Sequence, residues 1–124
     1  MKAEELSVLL IEDEATERNI LRLVLGSAGI RDVDDAINEF QAINKSRSKD
    51  HHLVISDTYD ANNRPYGPDA VERIKWLGKK PVVVGISNYS GAAEAWRGLA
   101  DYFFDKLYFR EGLQKVLKEK FDIG

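Results

Sequence analysis

The sequence predicts an α/β fold, a doubly wound five-stranded parallel sheet with five helices covering both faces. Three observations predict it. Short, nearly continuous apolar runs stand at Leu6 to Ile11, Leu53 to Ser56 and Pro81 to Ile86. Segments with helical periodicity separate them. A polar or acidic residue closes each run: Glu12, Asp57 and Ser87. Runs this apolar suit strands buried on both faces, as parallel sheets require.

The elements follow in order. Leu6 to Ile11 is the first strand. From Glu14 to Ala28, the residues Ile20, Leu23, Val24 and Ala28 recur at helical spacing, and Gly29 offers a stop. A weak strand is expected at Arg31 to Asp34, more acidic than strands usually are. Residues 36 to 46 read as a helix with Ile37, Phe40 and Ile43 on one side. Lys45 to Asp50 is polar loop, and Leu53 to Ser56 the third strand, closed by Asp57. Thr58 to Gly67, with Asn62, Asn63, Pro65 and Gly67, is rich in turn formers. Pro68 to Leu77 is a helix with proline at its start, Val71, Ile74 and Leu77 in register, and Gly78 after its end. Pro81 to Ile86 is the fourth strand, residues 91 to 98 a short alanine-rich helix, and Tyr102 to Phe104 the last strand. Residues 110 to 121 close the chain with a stripe of Leu113, Val116, Leu117 and Phe121. Strand–helix alternation implies a sheet covered on both faces, and the flavodoxin-like strand order 2-1-3-4-5 is the common arrangement at this size.

Composition narrows the function. The chain of 124 residues fits one domain, 1-124, with 44% hydrophobic and 31% charged residues. A net charge of -3 argues against nucleic acid and against an anionic membrane surface as partner. There is no cysteine, hence no disulfide framework, which is compatible with the cytoplasm expected for this chain. The N-terminus Met1 to Glu5 is acidic and unlike a signal peptide, and no apolar run is long enough to span a bilayer.

In such folds ligands bind beyond the carboxyl ends of the strands. Glu12 and Asp13, Asp57, Ser87 and Lys106 stand there, and the topology brings them to one rim. Clustered carboxylates repel one another, and a cation relieves them. Mg²⁺ suits the set, because it takes one or two carboxylates and keeps waters or phosphate oxygens. An Asp so placed is a nucleophile toward phosphorus, with lysine and hydroxyl acting on the transferred group.

Four segments carry a family resemblance: Val8-Leu9-Leu10-Ile11-Glu12-Asp13-Glu14, Leu53-Val54-Ile55-Ser56-Asp57, Val82-Val83-Val84-Gly85-Ile86-Ser87 and Ala100-Asp101-Tyr102-Phe103-Phe104-Asp105-Lys106. Together they resemble the CheY-like receiver domain of two-component response regulators along essentially the whole chain. The resemblance implies that Asp57 accepts a phosphoryl group from a histidine kinase or phosphotransfer protein. It implies Mg²⁺ held by Asp13 and Asp57, by Glu12 through a water, and by the Tyr59 backbone carbonyl. Lys106 would pair with the phosphoryl group, Ser87 would supply the switch hydroxyl, and Phe103 the aromatic that moves inward. The face of the fourth helix, fifth strand and fifth helix would dock a downstream protein, and a homodimer on activation is allowed. The chemistry would be self-catalysed phosphotransfer and autodephosphorylation rather than turnover of small molecules.

Several positions depart from the family. Leu107 stands where proline usually follows the lysine, Asn88 replaces a small residue, Ala61 replaces a common proline, and the loop after Asp57 is longer. These departures motivate an alternative, a degenerate receiver that binds a partner without phosphorylation. Tyr59 and Tyr89, two residues beyond Asp57 and Ser87, are expected to flank the phosphoryl group and shield it from water. A haloacid-dehalogenase-like phosphatase would need a general acid where Tyr59 stands. Taken singly, these residues have plainer readings: Asp13 as a helix cap, Asp57 as a turn residue, Ser87 as a cap, Lys106 as a surface lysine and Phe103 as core. Their joint occurrence favours the site. His51 and His52, adjacent before a strand, are expected to point to different sides of a loop. Trp76 and Trp96 are expected to pack or to anchor a surface.

Overall fold

The hydrophobic pattern forces two buried layers, one on each face of a single sheet. The computed structural model describes residues 1–124. Strands β1 (Ser7–Ile11), β2 (Asp32–Ala36), β3 (Leu53–Asp57), β4 (Val82–Ser87) and β5 (Tyr102–Asp105) alternate with α1 (Ala15–Ser27), α2 (Glu39–Ser48), α3 (Tyr66–Trp76), a 3₁₀ segment (Ser90–Trp96) and α4 (Phe109–Phe121). All pairings are parallel, in the order β2-β1-β3-β4-β5. That is the order expected from the sequence, with five helical segments as connectors and cover.

Alternate residues of β1 feed the two cores, as strand geometry requires. Val8 and Leu10 join Leu21, Leu25, Phe109, Leu113 and Val116 on the α1–α4 side. Leu9 and Ile11 join Ala42, Ala70, Val71, Ile74 and Trp96 on the other. No helix is long and apolar enough to cross a membrane.

The core face of α1 matches the expected stripe in part, since Val24 and Ala28 pack against the core. Leu21 and Leu25 are buried, whereas Ile20 and Leu23 are exposed, at 54% and 71%. Leucines occupy several sides of this helix, so two overlapping sets satisfy the same spacing, and the sheet selects 21/25. In α2 the helix begins only at Glu39, because Asn38 caps it by accepting from Gln41 N–H. Ile37 therefore lies outside the helix and is exposed with Phe40, while Ile43 is buried.

Edge strand β2 holds despite its acidic sequence because its carboxylates are paired. Lys49 meets Asp32 at 2.7 Å, His51 meets Asp34 at 2.8 Å, and Arg22 meets Asp35 at 2.5 Å. Charged side chains on an edge also discourage pairing with another chain. The two histidines do part company: His52 Nδ1 accepts from Ser7 N–H of β1.

The fourth connector is 3₁₀ rather than α-helical, and it ends on Trp96, which packs on the sheet. Its indole is buried and lies so close to β4 that a Cβ on Gly85 would fall 2.5 Å from it. The tighter segment presses this ring onto the sheet, and Trp76 by contrast is exposed on α3.

Candidate functional site

Parallel register carries four strands to one rim. Ile11 faces Ser56, Asp57 faces Ile86, and Ser87 faces Asp105. Glu12 and Lys106 follow directly on β1 and β5, so Glu12, Asp13, Asp57, Ser87 and Lys106 converge as the sequence predicts. Carboxylate oxygens of Glu12, Asp13 and Asp57 lie within 4.8 Å of one another. Glu12 is completely buried, and its backbone N–H bonds to Ala36 of β2.

Lys106 is the counter-charge. Its Nζ lies 2.7 Å from Glu12 Oε1, 3.0 Å from Glu17 Oε1 and 3.1 Å from Asp57 Oδ1. Burial raises the Glu12 carboxyl to about 7 against the opposing hydrogen bond from Lys106, and the Asp57 charge adds to the rise. Burial likewise raises Asp57, with Lys106 and Tyr66 opposing. Burial works against the Lys106 charge, but Glu12 and Asp57 outweigh it and hold the ammonium above the ordinary lysine range.

Ser87 is buried, and its Oγ accepts from Tyr89 N–H at 3.1 Å. Asp57, Ser87, Lys106, Tyr59 and Tyr89 line one open concavity of about 580 Å³. Phe103 is half-buried on β5, beside Gly85, and packs against the core on the Trp96 side.

No family sequence model matches the chain, and no curated protein sequence does. Solved structures do. The response regulator TrrA of Thermotoga maritima, determined in complex with Mg²⁺-BeF, superposes with a TM-score of 0.78 at 23% identity, covering 92% of this chain and 97% of that one. A CheY-like receiver domain from Methylobacillus flagellatus gives 0.78 at 17% identity, covering 91% and 96%. One from Methanospirillum hungatei gives 0.78 at 18% identity, covering 94% of each chain.

The chain has the response-regulator receiver fold. On this receiver fold the lysine loop is organised without a proline. The Leu107 N–H, which proline would lack, donates to Asp105 Oδ1 at 2.8 Å and opens a short 3₁₀ turn, Lys106–Tyr108.

The long loop after β3 is also ordered from within. Asp60 accepts from the N–H groups of Asn62 and Arg64, and Asn63 takes the left-handed conformation at φ 61. This turn delivers Tyr66 to the first position of α3. Next to it, Gly67 passes so near β3 that a Cβ would lie 1.8 Å from the Asp57 carbonyl oxygen. Only glycine tolerates that approach.

Three further contacts complete this site. Tyr66 is buried, donates to Asp57 Oδ2 at 3.0 Å and accepts from Asp13 N–H at 3.0 Å. Stepping back by fours from Ile74 through Ala70 reaches Tyr66, which is the signal that would have found it. Glu17 joins Lys106 and also accepts from Asn88 Nδ2 at 3.0 Å. Thr58 Oγ1 donates to the Ile86 carbonyl and accepts from Trp96 Nε1, tying the residue after Asp57 to β4 and the 3₁₀ segment.

Proposed function

We propose that the chain is a phosphoacceptor switch, a single receiver domain over residues 1–124 that takes a phosphoryl group on Asp57. The observation that carries this reading is one partly buried lysine within 3.1 Å of Asp57, beside a second and third carboxylate. That set has a nucleophile, a charge partner and a hard-oxygen cluster in one place.

The donor set fits Mg²⁺, which prefers carboxylate, carbonyl and water oxygens. Asp13, Asp57 and the Tyr59 carbonyl would hold it, with Glu12 acting through a water. When bound, the ion would offset carboxylate charge and polarise phosphoryl oxygens. An Asp57 oxygen forms the new O–P bond as the P–N bond of a donor phosphohistidine breaks, and the bonding pair returns to the imidazole. Lys106 pairs with the charge that Asp57 acquires, and the Ser87 hydroxyl bonds a phosphoryl oxygen.

Movement of Ser87 toward the phosphoryl group, with Phe103 following, then remodels the face of the Ser90–Trp96 segment, β5 and α4. That face is where a downstream protein or a second copy would dock. The donor is a histidine kinase or phosphotransfer protein, and the compartment is the cytoplasm. Mg²⁺-dependent labelling of Asp57 by a small phosphodonor tests the reading.

One observation favours the alternative, a receiver that binds partners without phosphorylation. The Tyr66 hydroxyl already occupies Asp57 Oδ2. The same labelling experiment separates the two.

A further inference from the structure

Both carboxylate oxygens of Asp57 are engaged, Oδ1 by Lys106 and Oδ2 by the Tyr66 hydroxyl. That hydroxyl has one proton. It lies 3.0 Å from Asp57 Oδ2 and 3.4 Å from Asp13 Oδ1, between two of the three clustered carboxylates. Its oxygen is engaged as well, accepting from Asp13 N–H at 3.0 Å.

The ring cannot readily leave. It is buried within the core layer of Ile11, Ala36 and Ala70, and its backbone is anchored by the loop turn through Arg64. Withdrawing an aromatic ring from a packed core is costly, whereas rotating a hydroxyl proton is not.

The geometry points to Tyr66 as a resident competitor for the cation at the Asp13–Asp57 position, a residue that sets how strongly this site takes Mg²⁺. This inference rests on the proposed function, which supplies the cation. A divalent ion between these carboxylates competes with the phenol for Asp57 Oδ2, to which the hydroxyl now donates. Binding must therefore turn the Tyr66 proton away and forgo a hydrogen bond to a charged group. The ring stays, so affinity is lowered rather than abolished.

The test is calorimetric titration of the full chain with MgCl₂, wild type against Tyr66→Phe. Tyr66→Phe is expected to bind Mg²⁺ more tightly, by roughly tenfold, the equivalent of one hydrogen bond to a charged group. Damage to the fold would weaken binding, so a gain separates competition from mere support. Equal or weaker binding by Tyr66→Phe overturns the role of Tyr66 and leaves the proposed function standing. No binding by either protein overturns both. Should Tyr66→Phe fail to fold, the wild type decides by NMR. The Tyr66 hydroxyl proton and Asp13 amide resonances are expected to move on saturation with Mg²⁺. Unmoved resonances at saturation contradict the proposal.

Discussion

Lys106 Nζ lies 2.7 Å from Glu12 Oε1, a partly buried cation against a carboxylate with no exposed surface. Even so, burial outweighs the lysine, and Glu12 titrates near 7 rather than 4.5. Between those values the folded state binds more protons than the unfolded one. Stability from Glu12 is thus present below about 4.5 and lost as pH rises through about 7. Asp57 shifts in the same direction. Asp32 and Asp34, lowered by hydrogen bonds from Lys49 and His51, act oppositely and lose their contribution in acid. Metal-free protein should therefore be more stable near pH 5 than near pH 8, by up to about 3 kcal/mol. Urea unfolding at the two pH values checks this, and Glu12→Gln should flatten the difference.

Gly67 fits under β3 only because it has no side chain. Gly67→Ala would place a Cβ 1.8 Å from the Asp57 carbonyl oxygen, forcing the α3 start or the β3 end to move. The expected loss is on the order of 3 kcal/mol. Thermal unfolding measures it, and a melting temperature equal to wild type would show that the loop yields freely.

Tyr59 and Tyr89 border the concavity that holds Asp57 and Ser87. Large side chains there obstruct in-line approach of water to an aspartyl phosphate. Replacing both by alanine should speed loss of phosphate from Asp57, followed by mass spectrometry over time. An unchanged decay rate removes the shielding role.

Ile20 and Leu107 are 54% and 79% exposed, and both border a shallow depression reaching Lys106. Exposed apolar groups beside a reactive centre suit a docking protein. Ile20→Asp with Leu107→Asp should slow transfer from a phosphohistidine-bearing protein by at least about tenfold. Labelling by acetyl phosphate should be unaffected. Equal slowing with both donors would point to damage at the site instead.

The strands and their ends were legible because parallel strands buried on both faces leave a continuous apolar signature, as in β1, β3 and β4. Glu12, Asp13, Asp57 and Ser87 were legible because each sits at such an end, and Lys106 because it follows the short aromatic strand β5. Less legible was which leucines of α1 face the sheet, since periodicity alone admits both Ile20–Leu23 and Leu21–Leu25. The start of α2 was hidden by apolar Ile37 and Phe40, although the Asn38 cap decided it. Tyr66 was obscured by a turn-rich loop whose length, set by the Asp60 turn, determines where the phenol lands. Its contact with Asp57 is a tertiary fact with no local signature, as is the reach of Glu17 to Lys106.

The most direct measurement is the intact mass of the protein after incubation with Mg²⁺ and acetyl phosphate, with Asp57→Asn alongside. A working phosphoacceptor gains one phosphoryl group in the wild type, none in Asp57→Asn, and none when Mg²⁺ is chelated. A folded wild-type protein that gains no mass would contradict the proposed function, and would assign the chain to partner binding without phosphorylation.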